Sequence, residues 1–274
     1  MKQIAAYSIC LLLGITVISC KNKESEKSED KKISIKEEQV SYTSDGIEMK
    51  SYVAYDENKK DKRPGILVVP EWWGVNDYVR SRIKQLAGLG YVAMAVDFYG
   101  NGKQADNPDS AGKLATPFYM DPAMAQRRFD AAKAKLVSYM QVDSSKLGAM
   151  GYCFGGAQVI NMAKLGEDLK GVVSFHGNLA VIPPVKGMKA DVLVCHGEDD
   201  KFVLPAEVAI FKEQMDSVGA HFIFVSYPGA THSFTNPQAT EWGKKFNLPL
   251  AYNENADTLS WKEMTTFFNK VFQR

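Results

Sequence analysis

The sequence predicts an α/β fold, a mostly parallel central sheet covered by helices on both faces and preceded by an antiparallel hairpin. Three observations carry this expectation. Short apolar runs rich in Val, Ile and Ala recur at 66–70, 91–97, 146–150, 171–175, 191–195 and 221–227, as strands buried on both faces do. Stretches with helical spacing lie between them, so strands and helices alternate, which is the pattern of crossover connections in a parallel sheet. Finally, Gly151-Tyr152-Cys153-Phe154-Gly155 stands where one such strand turns sharply into one such helix.

Residues 1–20 precede the fold. Lys2 gives a positive start, 4–18 is an apolar run too short to span a bilayer comfortably, and Val17-Ile18-Ser19-Cys20 closes it. This reads as a bacterial lipoprotein signal peptide with Cys20 as the lipidated residue. Residues 21–38 begin with a charge-balanced stretch lacking aromatics, which cannot bury enough surface to order itself and reads as a solvated tether. The expected placement is therefore exported and membrane-anchored, facing periplasm or exterior, with 39–274 as one α/β domain of a size to bury a sizeable core. The formal charge of +1 gives no basic surplus for nucleic acid. Nothing asks for an oligomer, and a monomer is favoured.

The domain opens with strands at 39–43 and 47–53 around Ser44-Asp45-Gly46, Asp-Gly being a strong hairpin signal. After the strand 66–70 a helix is expected near 77–89, ending at Gly90, before the strand 91–97. Residues 100–120 show no pattern that fixes their path. Asp121-Pro122 starts a long helix to about 140, Asp as cap and Pro at the first helical position. A helix follows the Cys153 turn, another is expected near 205–218, and an amphipathic helix closes the chain at 255–272.

The Gly-x-Cys-x-Gly turn has the form of the nucleophile elbow of an α/β-hydrolase, with cysteine in place of serine. Its flanking glycines suit a strained backbone packed closely against neighbours. A helix N-terminus after the thiol favours thiolate and offers N–H groups to an oxyanion. A buried structural thiol is the ordinary alternative for a lone cysteine; the surrounding order weighs against it. A nucleophile needs a base and the base an orienting acid, in chain order nucleophile, acid, histidine. Asp200 follows the strand 191–195 and leads over Glu198 and Asp199. His232 follows the last strand. His196 is too close in sequence to the acid, His221 starts a strand at the wrong end of the sheet, and His176, ending the strand 171–175, lines the pocket or is structural. Phe154, after the nucleophile, supplies one oxyanion N–H, and the loop 70–76 supplies the other.

Five pieces, Val68-Val-Pro-Glu-Trp-Trp-Gly-Val-Asn76, Val96-Asp-Phe-Tyr99, Gly151-Tyr-Cys-Phe-Gly-Gly156, Gly197-Glu-Asp-Asp200 and Gly229-Ala-Thr-His-Ser-Phe234, together resemble the dienelactone hydrolase family over residues 40–272. The resemblance implies a Cys153–His232–Asp200 triad cleaving an ester or lactone through a thioester, with oxyanion donors at the backbone of Trp72 and Phe154. It implies that Glu71 contacts the resting thiol and helps generate thiolate. It also implies a substrate pocket using Trp73, Tyr99, Asn101, His176, Phe234 and Asn236. Members that cleave dienelactones carry two arginines gripping the substrate carboxylate. Asparagine stands at both matching positions here, Asn101 and Asn236, and offers neither charge nor a bidentate fork, so an anionic dienelactone is not the expected substrate. Lys103, nearby, reads as a surface lysine. No cofactor is implied, and no metal, since the Cys and His spacings form no zinc signature. Two other classes keep the same residues: a binding lipoprotein holding an ester or glycan, and a thiol redox protein pairing Cys153 with Cys195.

Overall fold

The computed structural model describes Met1 and residues 32–273. Apart from Met1, the expected signal peptide, Cys20 and the tether up to residue 31 lie outside the described residues. Among those described, no helix is long and apolar enough to cross a membrane.

The chain runs β1 (Ile35–Ser44), β2 (Ile47–Asp56), β3 (Arg63–Val69), α1 (Asp77–Gly88), β4 (Val92–Ala95), α2 (Pro108–Met120), α3 (Pro122–Val137), β5 (Val142–Tyr152) and α4 (Phe154–Lys164). It continues through β6 (Gly171–Phe175), β7 (Asp191–Gly197), α5 (Pro205–Ser217), β8 (Phe222–Tyr227), α6 (Ala239–Phe246) and α7 (Glu254–Phe272). One sheet has the order β1-β2-β4-β3-β5-β6-β7-β8. The β1–β2 and β2–β4 pairs are antiparallel, and every later pair is parallel. The hairpin turns at Asp45 and Gly46, with φ of 49° and 74°, the double positive φ that selects Asp-Gly in a two-residue turn.

The strand period of two divides the core. Leu67, Val69, Met94, Val172 and Val194 face one layer with Phe129 of α3, Phe154 and Ile160 of α4 and Phe211 of α5. Ile66, Val68, Ala93, Val173 and Leu193 face the other, against Ile83 and Leu86 of α1 and Phe267, Phe268 and Phe272 of α7. Each such side chain taken out of water contributes about 1.5–3 kcal/mol before conformational entropy is subtracted. Every residue of α4 is buried, so the helix behind Cys153 is enclosed by the core.

Three features depart from the sequence expectations. Strand β1 starts at Ile35, because Ile35–Glu38 pair with Val53–Asp56; four residues assigned to the tether belong to the sheet. The segment 100–120 holds α2, whose N-cap Asn107 accepts from the Ser110 N–H at 2.9 Å with Pro108 at the first turn. Gly112 and Pro117 inside it suppress the helical signal. Helix α6 was not anticipated either. It ends in left-handed Asn247, φ 53°, an asparagine C-cap.

Candidate active site

The residues singled out for chemistry fall just beyond the carboxyl ends of strands, where open α/β sheets bind ligands: Glu71 and Trp72 after β3, Tyr99 and Asn101 after β4, Cys153 after β5, His176 after β6, Asp200 after β7 and His232 after β8.

Cys153 has φ 51° and ψ −115°, a left-handed-side conformation that costs a non-glycine residue on the order of 1–3 kcal/mol and persists only where its surroundings enforce it. The glycines enforce it here. A Cβ on Gly151 would lie 2.1 Å from the Gly155 carbonyl oxygen, and one on Gly155 would lie 2.1 Å from that of Val69. His176 (φ 43°) and Ser233 (φ 56°) share the strain, so three non-glycine outliers ring one site. The Cys153 N–H donates to the Phe175 carbonyl at 3.0 Å and to His176 Nδ1 at 3.1 Å. His176 must therefore carry its proton on Nε2, which lies 2.8 Å from Thr235 Oγ1. Burial, and the nearby positive charges of His232 and Arg82, hold His176 well below the usual histidine range. It is a neutral brace behind the elbow and does not line the cavity.

His232 Nδ1 lies 2.8 Å from Asp200 Oδ2. The other Asp200 oxygen accepts from the N–H groups of Phe202 and Val203 at 2.8 and 3.3 Å, so the turn into α5 aims the carboxylate. Glu198 and Asp199 are exposed while Asp200 is buried, which decides between the three. His221 is exposed beside Asp191 at the far end of the sheet. With Nδ1 engaged, the Nε2 edge of His232 is the one left for Cys153. Burial disfavours the imidazolium, but negative charge on Cys153, hydrogen bonds to Asp200 and Cys153, and the Asp200 charge outweigh it, and His232 is pushed up to about 10. The arrangement favours the imidazolium form of His232.

The cavity above Cys153 has a volume of about 230 Å³ and is bordered by His232, Trp72, Phe154, Tyr119, Asn178 and Phe202, with Gly112, Ala115 and Thr116 of α2, Ser233 and Leu250. Among the described residues, the only titratable side chains that border it are Cys153, His232 and the Tyr119 phenol. Burial and the Cys153 charge keep that phenol above its usual range, hence neutral. The Phe154 N–H is among the unpaired donors of the first turn of α4. On the facing loop, the Gly74 N–H donates to the Glu71 carbonyl at 3.1 Å, fixing the peptide that carries the Trp72 N–H. The Tyr99 hydroxyl donates to the Trp72 carbonyl at 2.9 Å, fixing the next one.

Several expected roles are corrected. Among the described residues, no hydrogen bond joins the Glu71 carboxylate to the Cys153 thiol. Its Oε2 accepts from Asn236 Nδ2 at 2.6 Å, Ser233 adds a second hydrogen bond, and Oε1 has no partner among the described residues. Burial pushes Glu71 above the usual carboxylate range, against those hydrogen bonds and the His232 charge; a neutral acid is the cheaper occupant of such a site. Asn236 is thus fully buried as the partner of Glu71 and does not line the pocket. Phe234 is buried under His176 and Tyr227. Trp73 packs between Trp72, Trp242 and Phe246. Asn101, φ 57°, is exposed and binds the Glu48 carbonyl through its N–H. Tyr99 acts from behind Trp72. The true lining from α2, with Asn178 and Leu250, carried no motif. Only Phe202 had a signal, as an apolar residue in the turn after Asp200.

Cys153 and Cys195 are both free. Cys195 packs on the α1–α7 side of the sheet, is pushed up to about 12 by burial, and accepts from the Tyr227 hydroxyl at 3.6 Å. Cys153 packs against the opposite layer. Among the described residues, no group of three or more His, Cys, Asp or Glu side chains is placed to hold a metal.

Comparison with known proteins shows the family. The model of the dienelactone hydrolase family matches residues 49–272. Protein usf of Aquifex pyrophilus is 33% identical over 207 residues, 72% of this chain and 86% of that protein. A candidate carboxymethylenebutenolidase of Aquifex aeolicus is 29% identical over 239 residues, covering 84% and 96%. The crystal structure of a dienelactone hydrolase-like promiscuous phosphotriesterase from metagenomic libraries superposes with a TM-score of 0.80 at 32% identity, covering 87% of this chain and 99% of its own. The chain belongs to the dienelactone hydrolase family and is a carboxylic ester or lactone hydrolase of the α/β-hydrolase fold.

Proposed function

We propose that this hydrolase works through Cys153, His232 and Asp200 and a thioester intermediate, on small esters or lactones whose acyl group is short and uncharged. One observation carries the reading: a strained cysteine at a helix N-terminus borders the same cavity as a histidine whose other nitrogen lies 2.8 Å from a buried carboxylate. The Cys153 sulfur, paired with His232, attacks the carbonyl carbon. The oxyanion rests on the N–H groups of Phe154 and Trp72. The carbon–oxygen bond breaks, and His232 Nε2 gives its proton to the leaving alkoxide. The now neutral imidazole takes a proton from water, the hydroxide attacks the thioester, and the sulfur departs to restore the ion pair with His232.

The apolar cavity of about 230 Å³, with no lysine or arginine on its wall, supports a neutral acyl group over an anionic dienelactone. The related phosphotriesterase makes a neutral phosphotriester a reasonable second probe, since attack there also builds charge on one oxygen. Turnover of aryl esters, neutral lactones, an anionic dienelactone and a phosphotriester, wild type beside Cys153→Ala, tests the proposal. Neutral substrates should rank first and lose turnover in the variant. Equal rates in both proteins would refute the role of Cys153.

We also propose export and lipid anchoring at Cys20, supported by the lipobox-like Val17-Ile18-Ser19-Cys20 and the polar stretch after it. Mass analysis of the mature N-terminus should find a diacylated Cys20. An N-terminus at Met1 without lipid would overturn it.

A further inference from the structure

A second cavity, of about 430 Å³, opens on the other side of the Trp72–Trp73 pair. The adjacent indoles, edge to face at 5.2 Å, separate it from the catalytic cavity, which Trp72 borders and Trp73 does not. Trp73, only 5% exposed, forms its floor. From α6, the half-buried Trp242 and Phe246 stand against that floor with ring centroids 4.9 and 6.0 Å away, and the half-buried Tyr52 of β2 borders it.

The polar rim is rich in amides. Gln104 is anchored because its Nε2 donates to the Val75 carbonyl at 2.7 Å, which leaves its Oε1 as an acceptor held in place. The Gln238 backbone N–H is tied to Asn236 Oδ1 at 3.0 Å, while among the described residues its side-chain amide is uncommitted. The Asp106 carboxylate adds an acceptor, and Lys245, lying over the Phe246 ring at 4.8 Å, adds a donor.

This mixture selects a ligand class. Only Val75 and Ala105 contribute aliphatic surface, too little for an acyl chain. A phosphate or a nucleotide would need several free cations, but Arg80 is engaged by Glu37 at 2.9 Å and by Asp77 at 3.1 Å, which among the described residues leaves Lys245 as the one uncommitted lining cation, offset by the lining carboxylates Asp77 and Asp106. Flat aromatic ligands leave a rim of donors and acceptors unsatisfied, at a cost. A saccharide ring presents C–H faces to aromatic walls and a periphery of hydroxyls that both donate and accept. We propose that this cavity is a binding site for a neutral saccharide, distinct from the catalytic cavity. It does not depend on the triad.

The test is saturation-transfer NMR on the full chain with neutral oligosaccharides (xylo-, cello-, malto- and chito-hexaose), wild type beside Trp242→Ala and Gln238→Ala, and again with Cys153 alkylated. Ring protons of at least one saccharide should receive saturation. Each substitution should weaken binding about tenfold, the scale of one lost ring or hydrogen-bond contact. Aryl ester turnover should stay within about twofold of wild type, and alkylation should leave binding intact. Gln238→Ala, at the surface, keeps the test valid if Trp242→Ala folds poorly. No transfer from any saccharide, undiminished binding in both variants, or loss of binding on alkylation each overturns the site.

Discussion

Replacing Cys153 with alanine should change the charge of His232 as well as abolish the nucleophile. In the intact site His232 is raised from 6.5 to about 10. At 1.36 kcal/mol per pH unit, that is on the order of 5 kcal/mol favouring the imidazolium over the neutral ring. Burial is the largest single influence and works against the cation. The Cys153 charge is the largest that favours it, followed by the hydrogen bonds to Asp200 and to Cys153. Removing the sulfur deletes both Cys153 contributions and leaves Asp200 alone against burial. The midpoint of His232 should then fall well below that of the wild type, where charge is lost only as pH rises through about 10. Histidine-labelled protein followed by two-bond nitrogen–proton NMR across pH 5 to 10.5 reads this directly. His176 is an internal control, because its buried ring should stay neutral throughout. A His232 midpoint unchanged by Cys153→Ala would show that the cation is not paired with the nucleophile, and the ion-pair account would fail.

Other outcomes follow from the same geometry. Asp200→Asn, which keeps the shape but removes the charge and fixes the wrong tautomer, should lower kcat by about 10³–10⁴ with little change in KM; a loss below tenfold would contradict the role of Asp200. Tyr99→Phe deletes one hydrogen bond to the Trp72 carbonyl, worth about 0.5–1.5 kcal/mol of stability, and should lower the melting temperature by only about 1–6 °C while kcat/KM falls some three- to tenfold. Thr116→Trp, at the cavity mouth, should raise KM for bulky acyl esters and spare acetates, and an equal effect on both would place the acyl group elsewhere. Gly155→Ala, whose Cβ would meet the Val69 carbonyl oxygen at 2.1 Å, should destabilise by several kcal/mol, read as a collapse of the melting transition.

Much of the fold could be read along the chain because each strand announces itself locally, by alternation or by a continuous apolar run, and helices α1, α3 and α7 by a side-chain cap. Asp121-Pro122 and the Asp45-Gly46 turn sit where their local chemistry places them. Helix α2 was hidden because Gly112 and Pro117 contradict its conformation locally, and only packing such as that of Phe118 against Phe98, Tyr99 and Phe154 overrides them. The same contrast holds in the site. Cys153, His232 and Asp200 each occupy a motif at a strand end, so their positions follow from order alone. The Glu71–Asn236 hydrogen bond joins residues 165 apart and has no local signature. Motif matching assigned Trp73, Tyr99 and Phe234 to the pocket because they adjoin the reactive residues in sequence, yet strand and loop geometry turn them into the layer behind.

The most direct test of covalent catalysis by Cys153 is rapid-quench mass spectrometry of the protein mixed with excess p-nitrophenyl acetate. One acetyl group on the peptide containing Cys153 in the wild type, appearing within the first turnover and decaying as substrate is exhausted, is the predicted result. Steady turnover with Cys153 never acylated, or undiminished turnover in Cys153→Ala, would contradict it.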